Sequence, residues 1–306
     1  MVKNSKILVA GGTGFIGSNL ILELISKNND VISLSNGHNK KNHFKKVLYI
    51  SHDLTRPLKK EEVNFLSDVE YVINCSGYID HSSFLNGGKE VFYNHFESLF
   101  LLTELAIKIK AKAFIHIGSS DEYGKNISPL DEKIRESPQS PYALSKLSST
   151  HYLQQCFEKG ILNTVIIRPF LVYGERQGKE RFLPYLIDNC LQNKEFKVTW
   201  GEQIRDYLYI KDFNNALIKA LNNKDAYGEI INVASGIPRS IREVIETVKE
   251  ITGKGKPIFG GIDYRNGESM KLYANIEKAK KILNWEPKYE FKSSLKEVIE
   301  WHSKNV

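Results

Sequence analysis

The sequence predicts an α/β protein: a doubly wound parallel sheet followed by a smaller mixed α/β lobe. Three observations carry that reading. Short apolar runs alternate with amphipathic helical stretches over the first half of the chain. The runs are apolar almost throughout, as strands covered on both faces are. The first run enters a glycine-rich turn that opens a helix.

In chain order, Lys6 to Ala10 is the first strand and Phe15 to Ser26 the first helix. Val31 to Leu34, Val47 to Ile50 and Tyr71 to Cys75 are further strands. A long amphipathic helix is expected from Val91 to Lys110, then a strand from Ala113 to Ile117, a helix from Tyr142 to Phe157 and a strand from Thr164 to Ile167. Beyond Tyr173 the pattern loosens. Gly174 to Gly178 reads as a loop, Arg181 to Asn193 and Ile241 to Ile251 as helices, and Phe196 to Trp200 and Arg205 to Ile210 as short strands. Residues 1–173 are expected to form the first domain and 174–306 the second lobe, with segments able to cross between them.

The chain has 306 residues, 41% hydrophobic and 26% charged, which excludes wholesale disorder and suffices for a core without staples. Its three cysteines (Cys75, Cys156, Cys190) are odd in number and far apart, so neither a disulfide framework nor a zinc site is expected. No apolar run approaches the ~20 residues that span a bilayer. The N-terminus lacks the apolar stretch and cleavage site of a signal peptide. A cytoplasmic protein without membrane contact is expected. The formal charge of +7 hints at an anionic partner, but the lysines are spread along the chain and no basic, aromatic nucleic-acid motif is present.

The turn reads Gly11-Gly12-Thr13-Gly14-Phe15-Ile16-Gly17, with glycines spaced G-x-x-G-x-x-G. The first glycine permits the tight turn, the second lets backbone approach a pyrophosphate, and the third lets helix pack on sheet. The helix N-terminus then offers N–H groups to the phosphates. This is a Rossmann-type dinucleotide site. The second strand of such a fold ends on a carboxylate that holds the ribose of NAD. Here it leads to Ser35 and Asn36. Ser35 leaves room for a 2′-phosphate, with His38, Lys40 and Lys41 as positive charge, so NADP(H) is expected ahead of NAD(H). Asp53-Leu54 is a candidate adenine contact, although Asp53 equally suits a cap. Cys75-Ser76-Gly77 has the small side chains that a close cofactor requires.

Tyr142 and Lys146 share one face of a helix start by their i, i+4 spacing. An ammonium favours the phenolate and lowers a tyrosine's pKa, which suits acid–base work near neutrality. Ser119 follows the strand Ala113 to Ile117, at the sheet edge where such sites lie.

The order of glycine turn, strand-end serine and Tyr-x-x-x-Lys resembles the extended short-chain dehydrogenase/reductases, in their nucleotide-sugar epimerase/dehydratase/reductase branch. GGTGFIG at 11–17, SSDEYG at 119–124, SPQSPYALSK at 137–146, RPFLVYG at 168–174, GEQIRDYLYIKD at 201–212 and YRNGES at 264–269 carry the resemblance. It implies that Tyr142 exchanges a proton with a sugar oxygen, that Lys146 binds the nicotinamide ribose and tunes Tyr142, and that Ser119 orients the same oxygen. Asn94, Pro169, Phe170 and Val172 are implied as cofactor contacts. Asp80, His81, Ser120, Asp121, Arg181, Phe182, Arg205, Arg265 and Glu268 are implied around the sugar nucleotide, with Arg205 and Arg265 clamping the diphosphate. Arginine suits that role because its planar fork bonds phosphate oxygens in pairs.

Within the branch, 4,6-dehydratases carry Glu three places before the closing glycine of the serine segment. Here that place is Asp121, and Glu122 reaches it only if the loop slips by one. RFLPYLID and the run ending NWEPKYEFK are most similar to nucleotide-4-keto-6-deoxysugar reductases of the CDP-abequose synthase type. The resemblance therefore implies reduction of a 4-keto-6-deoxysugar at C4 for polysaccharide sugar biosynthesis. A 4-epimerase is the alternative, a 4,6-dehydratase comes behind it, and an NADP-binding structural module is the non-enzymatic reading. A homodimer through the two long helices is implied as well.

Overall fold

The computed structural model describes residues 2–37, 42–265 and 267–305. Seven parallel strands form the central sheet: β1 (Lys6–Ala10), β2 (Asp30–Ser35), β3 (Val47–Ser51), β4 (Tyr71–Asn74), β5 (Ala113–Ile117), β6 (Thr164–Pro169) and β10 (Ile230–Val233). Their spatial order is β10-β6-β5-β4-β1-β2-β3. The order reverses between β1 and β4, and a crevice opens there at the strands' C-terminal ends.

Both faces are covered, as the apolar strands predicted. Ile7 and Val9 point into a core shared with Leu20, Ile21 and Leu24 of α1 (Phe15–Ser26) and Phe213 and Leu217 of α6 (Ile210–Leu221). Leu8 and Ala10, one residue out of phase, point into the opposite core. There they meet Leu99, Leu102 and Leu105 of α3 (Lys89–Lys108) and Leu153 of α4 (Pro141–Glu158). Period-two alternation along one strand thus feeds two helical layers.

From Leu171 onward, elements of the chain form a four-stranded sheet and a helical cluster. β7 (Leu171–Tyr173), β9 (Ile204–Tyr209), β11 (Pro238–Ser240) and β13 (Lys271–Leu272) build the sheet. β8 (Glu195–Val198) pairs with β12 (Lys256–Phe259). Around them pack α5 (Phe182–Leu191), α7 (Ile241–Thr252) and α9 (Phe291–Asn305). The chain crosses back: α6 packs on α1, β10 joins β6 in the central sheet, and later the helix Glu277–Leu283 packs on β10 and α6. The crossing is silent in the sequence because β9 runs into α6 at Tyr209–Ile210 with no glycine or proline between them. The first helix of this region starts at Phe182, with Arg181 as its N-cap.

Candidate active site

The glycine turn has the shape the sequence predicts. A Cβ on Gly11, whose φ is +74°, would lie 2.8 Å from the Cys75 and Ser76 backbone. A Cβ on Gly17 would lie 2.3 Å from the Gly11 carbonyl oxygen. Any side chain there would prise the turn from β4 or the helix from the turn. Gly14, by contrast, is crowded only by the Gly11 oxygen, at 3.3 Å. It caps α1 with no side-chain hydrogen bond, which leaves the first N–H groups of the helix for an anion. The donor set and the bare backbone fit the pyrophosphate of a dinucleotide.

Around this turn the predicted contacts divide. Thr13 and Ser35 are buried and joined by a 3.3 Å hydroxyl–hydroxyl hydrogen bond. The Ser35 hydroxyl is therefore engaged rather than facing an open space, while Asn36 is exposed. His38, Lys40 and Lys41 lie outside the described residues. Asp53 accepts hydrogen bonds from the Thr55 hydroxyl (2.7 Å) and amide (3.0 Å), so it caps its own turn. Leu54 lies in a small cleft with Leu34 and Leu58. Phe15 and Ile16 pack against the core. Phe170 and Val172 are core residues too, Phe170 among Tyr123, Leu130 and Ala234. Their side chains serve packing, which leaves backbone for the contact that the resemblance implies.

Ser119, Tyr142 and Lys146 come together at the ends of β5 and α4. Ser140 caps α4 by accepting the Ala143 amide (3.1 Å), and Pro141 begins the helix, so Tyr142 stands in its first turn. The Lys146 ammonium donates to the Ile117 carbonyl at 2.9 Å. All three side chains are buried. Ser119 is held at both ends, its amide on Glu122 Oε1 (2.8 Å) and its Oγ accepting from the Asp121 amide (3.1 Å).

The electrostatics reverse one expectation. Tyr142 is held well above its ordinary pKa, first by burial and then by the charge of Asp121, with the Ser119 hydroxyl acting the other way. Burial thus favours the protonated phenol in the chain alone, and the positive charge of a bound oxidised nicotinamide would act the other way, toward the phenolate that can accept a proton. Lys146 is itself pushed down, from 10.5 to about 8, by burial. An unfolded chain binds this proton more tightly, so the group's contribution to stability rises with pH between about 8 and 10.5. The stability difference between wild type and Lys146→Met should therefore move in the wild type's favour as pH rises from about 7 to about 10. Denaturant unfolding at the two pH values checks this; a constant difference contradicts it.

One residue the sequence reading passed over, His95, joins the site. His95 of α3 is 7% exposed, with its ring edge-on to Tyr142 at 5.3 Å and its Nε2 without a partner. Burial and the neighbouring Lys146 push its pKa down to about 3, so it stays neutral. It fills the space that Gly77 leaves open, where a Cβ would lie 2.7 Å from the ring. Asn94, beside it, donates to the Tyr78 hydroxyl at 3.4 Å. The clue was a histidine on the buried face of an amphipathic helix. His81 also reaches the site: it faces Tyr142 edge-on at 5.8 Å and stands 3.9 Å from Asp121. Asp80 instead accepts the Ser82 amide (2.8 Å) and shapes its own turn.

Glu122 has a structural role. It is fully buried and accepts from Arg168 Nε (2.9 Å) and Nη2 (2.7 Å), from the Thr150 hydroxyl (2.8 Å) and from the Ser119 amide. Arg168, equally buried, also donates to Glu136 (2.8 Å) and lies 4.6 Å over the Tyr123 ring. No loop slip brings this carboxylate to a sugar. The second-lobe residues also divide. Arg205 pairs with Glu268 and donates to the Ile204 carbonyl (2.9 Å). Its neighbour Asp206 accepts from Ser235, Gly236 and Ala274. The charges of Arg181 and Arg205 both reach Asp121. Arg265 is exposed, Phe182 is half-buried at the start of α5, and Ser120 is buried beside Asp121.

Residues 7–234 match the NAD dependent epimerase/dehydratase family. The chain belongs to that family. A putative UDP-glucose 4-epimerase of Methanocaldococcus jannaschii is 33% identical over 98% of this chain and 99% of its own. The human dTDP-D-glucose 4,6-dehydratase is 27% identical, over 98% of this chain and 90% of its own. Among solved structures, the UDP-glucuronic acid 4-epimerase of Bacillus cereus, in complex with UDP-glucuronic acid and NAD, superposes with a TM-score of 0.88. It is 27% identical, covering 98% of this chain and 100% of its own. The family resemblance and the sheet architecture are thus borne out, and the chain is an enzyme of the extended short-chain dehydrogenase/reductase kind. The narrower likeness to CDP-abequose-type reductases is not: these relatives are epimerases and a dehydratase. Among the described residues, no helix is long and apolar enough to cross a membrane.

Proposed function

We propose that this protein is a nucleotide-sugar 4-epimerase, which inverts C4 of a nucleotide-linked hexose. The reading that the sequence placed second is better supported than the ketoreductase. What carries it is the 33% identity with a putative UDP-glucose 4-epimerase along nearly the whole of both chains. The locked Glu122 speaks against the dehydratase, which needs an additional free acid and base. A bound nicotinamide dinucleotide would supply the hydride acceptor and donor and, in its oxidised form, a positive charge. The chain's own residues handle the proton. Tyr142 takes it from the C4 hydroxyl and returns it, Ser119 orients that oxygen, and Lys146 holds a buried positive charge close by. NMR of the sugar protons tests this: UDP-glucose should relax to a mixture with its C4 epimer, and an unchanged spectrum rejects the reading.

We take the cofactor to be NAD(H). The Bacillus cereus neighbour was solved with NAD, and the Ser35 hydroxyl is occupied by Thr13. NADP should restore activity to cofactor-stripped protein only at higher concentration than NAD. The opposite order would support the NADP preference read from the sequence.

We also take the protein to be a dimer. Tyr93, Phe100 and Ile107 of α3 and Leu144 of α4 are large apolar side chains left exposed. Light scattering should give twice the chain mass, and Phe100→Glu should give the monomer. A monomeric wild type removes the proposal.

A further inference from the structure

We propose that Asp121, with His81 beside it, makes the sugar subsite select against sugars carrying a negative charge, so that neutral hexoses are accepted and uronic acids refused. This rests on the nucleotide-sugar reading above. The Asp121 backbone is tied to the reactive centre, because its amide donates to Ser119 Oγ at 3.1 Å. Its carboxylate stands 3.9 Å from His81 Nε2, and the His81 ring meets Tyr142 edge-on at 5.8 Å. Asp121 and His81 therefore flank the hydroxyls that must hold C4. A hexose ring is only about as wide as these spacings, so a C6 carboxylate would enter the field of Asp121. Like charges that close, partly shielded from water, repel strongly.

Two permanent cations, Arg181 and Arg205, and the titratable His81 are the positive groups whose charge reaches Asp121. Arg205 is already paired with Glu268. A diphosphate brings negative charge of its own, and these arginines are what it would use. A uronate carboxylate would meet Asp121 with those cations already engaged. The neighbour solved with UDP-glucuronic acid shows that the family's fold admits such a substrate, so refusal would be a property of this chain's own residues.

The test measures kcat/KM and the dissociation constant for UDP-glucose and UDP-glucuronate at pH 8, with wild type, Asp121→Asn and Asp121→Ser. Wild type should favour UDP-glucose by about 50-fold or more, and both variants should shrink that ratio by at least about tenfold. The ratio is the readout because a merely structural lesion lowers both substrates together. A wild type that takes UDP-glucuronate as readily, or a ratio that neither variant moves, overturns the proposal. If binding discriminates through Asp121 but C4 is never inverted, the charge selection stands and the epimerase reading falls. If neither nucleotide binds, both fall.

Discussion

Tyr142→Phe should bind the cofactor normally and lose turnover by about 10²–10⁴-fold, the range that a positioned acid–base group contributes. Phenylalanine fills the same space in the first turn of α4 and removes one oxygen. Ring packing against His95 and His81 is retained, so the fold should be unaffected. In the proposed reaction the Tyr142 oxygen is the group that exchanges a proton with the C4 oxygen. Because a substrate proton must reach that oxygen, kcat should fall more than KM rises. Steady-state kinetics with a cofactor-binding titration checks this, and near-normal turnover would remove Tyr142 from the chemistry.

The second large effect is on stability. Glu122→Gln should destabilise the fold by about 3–5 kcal/mol, because it leaves the Arg168 guanidinium in the interior short of its main counter-charge. Both partners are fully buried, and the carboxylate serves Arg168, Thr150 and Ser119 together. Glutamine offers one acceptor oxygen and an NH₂ that must face a donor. Gly118 adds a further constraint: a Cβ there would lie 2.5 Å from Glu122 Oε1. The thermal midpoint should drop by about 5–10 °C. Since Glu122 also holds the Ser119 amide, turnover should fall below what the folded fraction accounts for. A variant with unchanged midpoint and activity would mean that the pair contributes neither.

The sequence made the central sheet legible because each strand is a compact apolar run bounded by turn residues, and because the glycine turn has a single structural use. The candidate catalytic positions were legible for a related reason: Tyr142 and Lys146 are one helical turn apart, and Ser119 follows a strand. What stayed hidden depends on tertiary distance. Glu122 meets Arg168 across 46 residues, and His81 meets Asp121 only through the fold. Spacing likewise shows the charge near Tyr142 but not its burial, which raises the phenol's pKa in the chain alone. The pairing of Arg205, the expected phosphate clamp, with Glu268 is likewise a contact that only the fold brings about.

The central claim is that the cofactor is regenerated in every turnover and that only C4 changes. The most direct measurement combines mass spectrometry and NMR of the nucleotide sugar after incubation of UDP-glucose with the protein and a trace of NAD, far below the substrate. The account predicts a product of unchanged mass with C4 inverted and many turnovers per cofactor. A product lighter by one water, or turnover of a 4-keto sugar that consumes reduced cofactor mole for mole without C4 inversion of UDP-glucose, would contradict it.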